Sequence, residues 1–178
     1  GNAAALYLNR NSQNDIIIKK LLDVDKLGSE LGAGVIVVHY RGVPKDKGQH
    51  LWFQSHVGLS VFTTQYNLLK RFDRPVLSPC EDPEGDDHIS SEDPRITKLH
   101  DEFYMIYCGF TMPSLDDKRI NVCMAKSKDL MNWEKMGPVK GEINFAANKD
   151  GVLFPEKING QYFMLHLPMV GSMSDSSE

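Results

Sequence analysis

The chain repeats itself. Asp93-Pro94-Arg95-Ile96-Thr97-Lys98-Leu99, running into Phe103-Tyr104-Met105-Ile106-Tyr107, has a counterpart in Phe154-Pro155-Glu156-Lys157-Ile158 running into Tyr162-Phe163-Met164-Leu165-His166, and Tyr104 precedes Phe163 by 59 positions. Val57-Gly58-Leu59-Ser60-Val61 before Tyr66-Asn67-Leu68-Leu69-Lys70 has its own counterpart, Val122-Cys123-Met124-Ala125-Lys126 before Leu130-Met131-Asn132-Trp133-Glu134-Lys135, 65 positions on. Several short antiparallel strands recurring at such a period, with polar loops between units, are the sequence signature of β-propeller blades. The expected fold is therefore all-β, with loops at one end of the blades converging on an axis. A plain β-sandwich is the competing arrangement, and repetition disfavours it.

Strand signals fill this frame. Gly32 to Tyr40, with Val35-Ile36-Val37-Val38, is β-branched and short and reads as a buried strand. Ser55 to Phe62 alternates at period two, as a half-buried strand does. Thr63 to Asn67 reads as a turn, Phe103 to Cys108 and Ile120 to Ala125 as strands, Gly109 to Lys118 as a loop, and Gln161 to His166 as a last strand. Residues 6 to 31 mix Ile16-Ile17-Ile18 with charged positions and fit either strands or one short helix. The long segment Arg74 to Ser91 carries Pro75, Pro79, Pro83 and the run Glu84-Gly85-Asp86-Asp87-His88. Such a charge run is expected to be a solvated loop, and adjacent Asp and His residues rarely converge on one metal ion.

Composition narrows the function classes. With 178 residues, 41% of them hydrophobic, the chain can bury one domain-sized core. A net charge of −4, without a basic cluster, argues against nucleic acid or an anionic membrane as partner. No apolar run reaches the roughly 20 residues of a membrane-spanning helix, and Gly1-Asn2-Ala3-Ala4-Ala5 does not read as a signal peptide, so a soluble protein of unassigned compartment is expected. Cys80, Cys108 and Cys123 follow no zinc or redox spacing, so buried thiols are expected and no disulfide is required.

The densest chemistry lies in Ser90-Ser91-Glu92-Asp93-Pro94-Arg95-Ile96. A proline restricts the residue before it to extended backbone, so Asp93 is expected to be extended, with the Glu92 and Asp93 carboxylates held on a stiff segment and pointing apart. One could face a pocket while the other fixes the loop. On the tetrapeptide alone an ordinary Asp-Pro turn is the alternative.

Glu92-Asp93-Pro94-Arg95-Ile96-Thr97-Lys98, Ser127-Lys128-Asp129-Leu130 with Trp133-Glu134-Lys135, and Asn148-Lys149-Asp150-Gly151-Val152-Leu153-Phe154-Pro155-Glu156 ending in Met164-Leu165-His166 together resemble glycoside hydrolase family 130. That is the β-mannoside phosphorylase and β-mannosidase family, a five-bladed β-propeller. The resemblance covers roughly residues 33 to 170. It implies a single partial propeller domain over residues 1–178, about the first half of the blades. It further implies that Asp93 is the general acid, protonating the glycosidic oxygen through the sugar's 3-hydroxyl, and that Arg41 contacts the sugar. Asn2 matches the family's early asparagine, and Glu92, Arg95, Asn148, Lys149, Asp150 and His166 fall in substrate-binding motifs. Inversion then needs a nucleophile on the opposite face: phosphate held by arginines in the phosphorylases, or water activated by a carboxylate in the hydrolases. Glu156 is the acid in a matching motif that could act as that base, or it forms an ion pair with Lys157 or Arg95.

Two departures bear on the choice. The phosphorylases usually carry arginines just before Asn-Lys-Asp and just after Met-Leu-His, and this sequence has Ala147 and Leu167 there. Neutral side chains cannot replace bidentate guanidinium bonds to phosphate. The expectation is accordingly an inverting β-mannosidase acting on manno-oligosaccharides or other β-mannosides. A phosphorylase using inorganic phosphate and no further cofactor is the alternative, and an inactive carbohydrate-binding half-propeller is a second one. Trp52, Tyr104 and Tyr107 are candidates for stacking on sugar rings. Trp133 is expected to pack at a blade edge, Arg119 to be an exposed loop residue, and His166 to be either a core residue or a site residue. Open blade edges leave homo-oligomer formation as one way to cover them.

Overall fold

The computed structural model describes residues 3–45, 54–114 and 116–169. Asn2 and Trp52 lie outside these residues. Two four-stranded antiparallel meanders are followed by a two-stranded ribbon. The first meander contains β1 (Ala3–Asn9), β2 (Gly34–Gly42), β3 (His56–Thr63) and β4 (Leu68–Arg71), hydrogen-bonded in chain order. The second contains β5 (Ser90–Leu99), β6 (Glu102–Ser114), β7 (Asp117–Ser127) and β8 (Glu134–Pro138), again in order. β9 (Asn148–Leu153) and β10 (Met164–Pro168) pair antiparallel as the ribbon. The repeat is thus a structural one. The Val57 and Val122 segments are third strands and the Lys70 and Lys135 segments are fourth strands, whereas Phe154 to Ile158, the expected counterpart of Asp93 to Leu99, falls in the connection after β9, and it is β9 itself that stands where β5 does.

The ambiguous N-terminal stretch divides into β1 and a helix, α1 (Ser12–Leu22). The Asn11 side chain accepts from Asn14 N at 2.8 Å at the start of the helix, and Asp23 ends it in the left-handed region at φ 59°. Ile17, Ile18 and Leu21, spaced for one helical face, are buried in a core shared with Leu8, Val35, Val37, Leu59, Val61, Phe103 and Leu130. A second cluster, Val57, Leu77, Met105, Tyr107, Cys123 and Ala125, joins the first meander to the second. The sequence periods failed to resolve residues 6 to 31 because one apolar triplet fits both templates; the Asn11 cap and the spacing of the buried positions are what decide for a helix.

Three further expectations are corrected. The supposed loop at Gly109 to Lys118 is mostly a long hairpin, paired from Thr111↔Arg119 to Ser114↔Asp117. The last strand starts at Met164 rather than Gln161. The acidic loop is not uniformly solvated, because Asp87 is only 3% exposed. Its carboxylate accepts from Cys80 N at 3.2 Å, from Ser91 Oγ at 2.8 Å, from Tyr107 Oη at 3.2 Å and from the Lys135 ammonium, which also donates to the Ser78 carbonyl at 2.6 Å. Burial alone would push the Asp87 carboxyl up, and these bonds, the Lys135 ammonium foremost, bring it below the ordinary range.

Between the two meanders His39 is fully buried. Its Nε2 donates to the Leu130 carbonyl at 2.8 Å, and its ring meets Trp133 edge-on at 5.5 Å. Burial lowers its pKa to about 4, only partly offset by that hydrogen bond, so the ring is neutral near pH 7. Trp133 is therefore an inter-sheet residue, fixed by its own N–H to Leu130 O at 3.1 Å. All three cysteines are free, Cys108 and Cys123 buried and Cys80 half-buried. No helix among the described residues is long and apolar enough to cross a membrane.

Candidate active site

Arg41 stands near the end of β2 and Glu92 and Asp93 stand early in β5, so strands of different sheets bring the three together. Arg41 Nη2 is 2.7 Å from Glu92 Oε1, its Nη1 is 3.5 Å from Asp93 Oδ1, and its Nε donates to Ser55 Oγ at 2.8 Å. Ser90 Oγ also donates to Glu92 Oε1, at 2.7 Å. Glu92 is thus an acceptor held from two sides, which fixes the guanidinium beside Asp93. Side-chain exposures of 25%, 18% and 15% for Arg41, Glu92 and Asp93 leave the group only partly screened by water.

Asp93 is not extended. Its φ is 49°, in the left-handed region, at a β-bulge where pairing steps from Glu92↔Cys108 to Arg95↔Ile106, so that Asp93 and Pro94 stand opposite Tyr107 alone. The steric preference imposed by a following proline is overridden by the ladders on either side, and aspartate is among the residues that tolerate such a φ. Asp93 Oδ1 is buried and accepts no protein hydrogen bond despite its proximity to Arg41. A buried carboxylate oxygen without a donor is costly in a native fold, and the Arg41 guanidinium at 3.5 Å is the charge that offsets part of that cost.

The other candidates form a second group at the start of the third unit. Asp150 Oδ1 lies 3.5 Å from Arg95 Nη2, and the Asn148 amide nitrogen donates to His166 Nδ1 at 2.8 Å and to the Ile143 carbonyl. Asn148 is 1% exposed and its Oδ1 has no protein partner. His166 is exposed, which removes the core reading. With Nδ1 accepting, its proton sits on Nε2, facing away from Asn148. The two groups share an electrostatic neighbourhood. The Cys108 thiol, opposite Glu92, is pushed up to about 12, by burial first and then by the Glu92 and Asp93 charges, with Lys149 and Arg41 opposing. Lys149 is thus within electrostatic reach of the Cys108 thiol. Asp150 takes Arg95 rather than Lys149 as its ion-pair partner.

Glu156 is not brought to this centre. It is exposed in the connection between β9 and β10; Arg95 is committed to Asp150, and Lys157 lies over the Tyr162 ring at 4.9 Å. Tyr107 is 3% exposed with its hydroxyl on Asp87, so it has no free face for a sugar. Tyr104 donates to Glu102 at 3.1 Å, and Arg119 pairs with Asp117. Ser90, inside the stretch of densest chemistry, and Ser55, at the start of a strand, orient Glu92 and Arg41, roles that the sequence does not assign to them.

The family model for glycoside hydrolase family 130, described as beta-1,4-mannooligosaccharide phosphorylase, matches residues 35–174. The chain belongs to glycoside hydrolase family 130. Family 130 relatives include a 1,2-beta-oligomannan phosphorylase of Thermoanaerobacter sp. (strain X514), 40% identical over 136 residues, 75% of this chain and 42% of the relative. A beta-1,2-mannobiose phosphorylase of the same strain is 42% identical over 117 residues, 66% of this chain and 35% of the relative. The chain thus spans about two fifths or less of the length of these curated relatives. A solved structure, from work showing that this family of mannoside phosphorylases contains glycoside hydrolases targeting beta-1,2 mannosidic linkages in Candida mannan, superposes with a TM-score of 0.61 at 25% identity, over 78% of this chain and 40% of that one.

Proposed function

We propose that this family 130 chain forms part of a β-mannoside phosphorylase in which Asp93 is the general acid and inorganic phosphate, with no further cofactor, is the nucleophile. The observation that carries this reading is Asp93 itself, set in a left-handed bulge with a buried oxygen that lacks a donor, beside a guanidinium held by a second carboxylate. Phosphorylase rather than hydrolase is supported by the relatives at 40% and 42% identity, both phosphorylases of β-1,2-linked mannosides. This replaces the hydrolytic expectation drawn from Ala147 and Leu167.

In this mechanism the Asp93 proton passes toward the glycosidic oxygen, by way of the sugar's 3-hydroxyl as the family resemblance implies, while a phosphate oxygen attacks the anomeric carbon from the opposite face. The C–O bond to the leaving sugar breaks as the C–O bond to phosphate forms, giving mannose 1-phosphate of inverted configuration. Arg41 and Glu92 orient the sugar and Asp93, Lys149 supplies positive charge toward phosphate, and the Asn148–His166 pair offers an Oδ1 acceptor and an Nε2–H donor to the bound sugar. Asn2 is proposed as a further sugar contact. A manno-oligosaccharide is the expected substrate.

The fold of this reading is one domain, part of a five-bladed propeller in which β9 and β10 begin the third blade. Val152, Leu165 and Leu167 are exposed on that ribbon, an apolar face of the kind that a neighbouring blade covers in a propeller.

Hydrolysis is kept as a second reading because of Ala147 and Leu167. Incubation with β-1,2-mannobiose, with and without phosphate, separates the two. Mannose 1-phosphate formed only with phosphate is the expected result, and free mannose released at equal rates without phosphate would favour the hydrolase. Binding of the disaccharide without turnover would identify an inactive carbohydrate-binding propeller.

A further inference from the structure

The Asp93 bulge has a twin. On β9 pairing steps from Leu165↔Val152 to Leu167↔Lys149, so Asp150 and Gly151 stand opposite His166 alone, as Asp93 and Pro94 stand opposite Tyr107. Both aspartates are left-handed, at φ 49° and 55°. Each non-glycine residue held there costs on the order of 1 kcal/mol, so something must hold both bulges in place. Arg95 lies between them. Its Nη1 donates to the Pro94 carbonyl at 3.1 Å and to the Asp93 carbonyl at 3.4 Å, and its Nη2 reaches Asp150 Oδ1 at 3.5 Å.

We propose that Arg95 and Asp150 are positioning residues for Asp93 rather than sugar-binding groups, acting as a clamp between the first strands of adjacent blades. This rests on the reading of Asp93 as the proton donor. The two carbonyls that Arg95 binds belong to the bulged residues themselves, so the Asp93 backbone, and with it the origin and direction of the side chain, cannot leave the bulge without breaking those bonds. Both terminal nitrogens of the guanidinium are committed, and Asp150 keeps its fork over the bulge by charge. Thr97 Oγ1, donating to the Leu153 carbonyl at 2.7 Å, holds the same two strands together farther along, so the clamp acts at the bulge and not on strand packing as a whole.

The test is the kinetics of β-1,2-mannobiose phosphorolysis by Arg95→Gln, Arg95→Lys, Asp150→Asn and the Arg95→Gln/Asp150→Asn pair, with crystal structures of the wild type and Arg95→Gln. Loss of a clamp should lower kcat about 100-fold in Arg95→Gln and about 10-fold in Asp150→Asn, with KM for the disaccharide within about twofold. Arg95→Lys should not rescue, since a lysine lacks the planar fork. The double variant should be no slower than Arg95→Gln, because both changes break one device. A raised KM at unchanged kcat, or losses that multiply in the double variant, would overturn the proposal. The Arg95→Gln crystal structure should show Asp93 out of the left-handed region, and an unmoved bulge would also overturn it. If the wild type turns over no β-mannoside, the proposed function fails, while the crystal structures still decide whether Arg95 holds the bulge. Asp150→Asn is isosteric at a side chain 37% exposed, so it keeps the fold if Arg95→Gln does not.

Discussion

Arg41 Nη2 lies 2.7 Å from Glu92 Oε1, and this contact sets the electrostatics of the candidate site, because the same guanidinium is the positive group beside Asp93. Removing it would leave two adjacent carboxylates without a cation. Arg41→Ala should destabilise the protein by about 2 kcal/mol, below the value for a fully buried pair because the groups are about a fifth exposed. Adding Glu92→Gln should recover part of that loss. Urea unfolding of the single and double variants measures this, and additive losses would show that the pair is not coupled.

Asp87 should behave as an internal ion-pair partner rather than as a loop residue. Asp87→Ala strands the Lys135 ammonium and three further donors, and a loss of about 3 kcal/mol is expected by chemical denaturation. Its folded pKa is lowered, so its contribution is full above the unfolded carboxylate range near 4 and fades as pH falls through the folded value. Asp87→Ala should therefore narrow its gap to the wild type only under strongly acidic conditions.

His39 predicts a different acid response. Its folded pKa is about 4 against an ordinary value of 6.5, so the unfolded chain takes up a proton that the folded chain refuses between those limits. Stability should fall by up to about 3 kcal/mol as pH drops from 6.5 to 4, and level off below as far as this residue is concerned. His39→Gln, which can still donate to Leu130 O, should flatten that part of the stability profile. An unchanged slope would show that another group is responsible.

The left-handed φ of Asp93 makes an unusual prediction about its replacement. Asp93→Gly removes the carboxylate but suits φ 49°, so the variant should be as stable as the wild type within about 0.5 kcal/mol. Asp93→Val should cost more than 1 kcal/mol, since a β-branched residue fits that region poorly. Thermal unfolding of the two side by side checks the bulge geometry independently of activity.

The repeat was legible in the third and fourth strands, where the Val57 and Val122 segments and the Lys70 and Lys135 segments take corresponding places in the two meanders, and the motifs also named Arg41 and Asp93, which meet as an ion pair. The conformation of Asp93 was not legible. Local preference says extended, and contacts between segments, the pairing of β5 with β6 first among them, create the bulge. The burial of Asp87 was hidden for a related reason, since its main partners, Tyr107 and Lys135, lie 20 and 48 positions away and nothing in an acidic run announces them. Ser55 and Ser90 are visible in the sequence only as parts of a strand and a motif, and their role as orienting hydroxyls appears once Arg41 and Glu92 meet.

The most direct measurement is the leaving-group dependence of Asp93→Gly. A group that protonates the departing oxygen matters for a sugar alcohol and little for a leaving group that departs as a stable anion. Phosphorolysis of β-1,2-mannobiose by the variant should fall about 1,000-fold or more, while turnover of a dinitrophenyl β-mannoside should stay within about tenfold of the wild type. Retained turnover of the disaccharide, or equal losses on both substrates, would contradict Asp93 as the general acid.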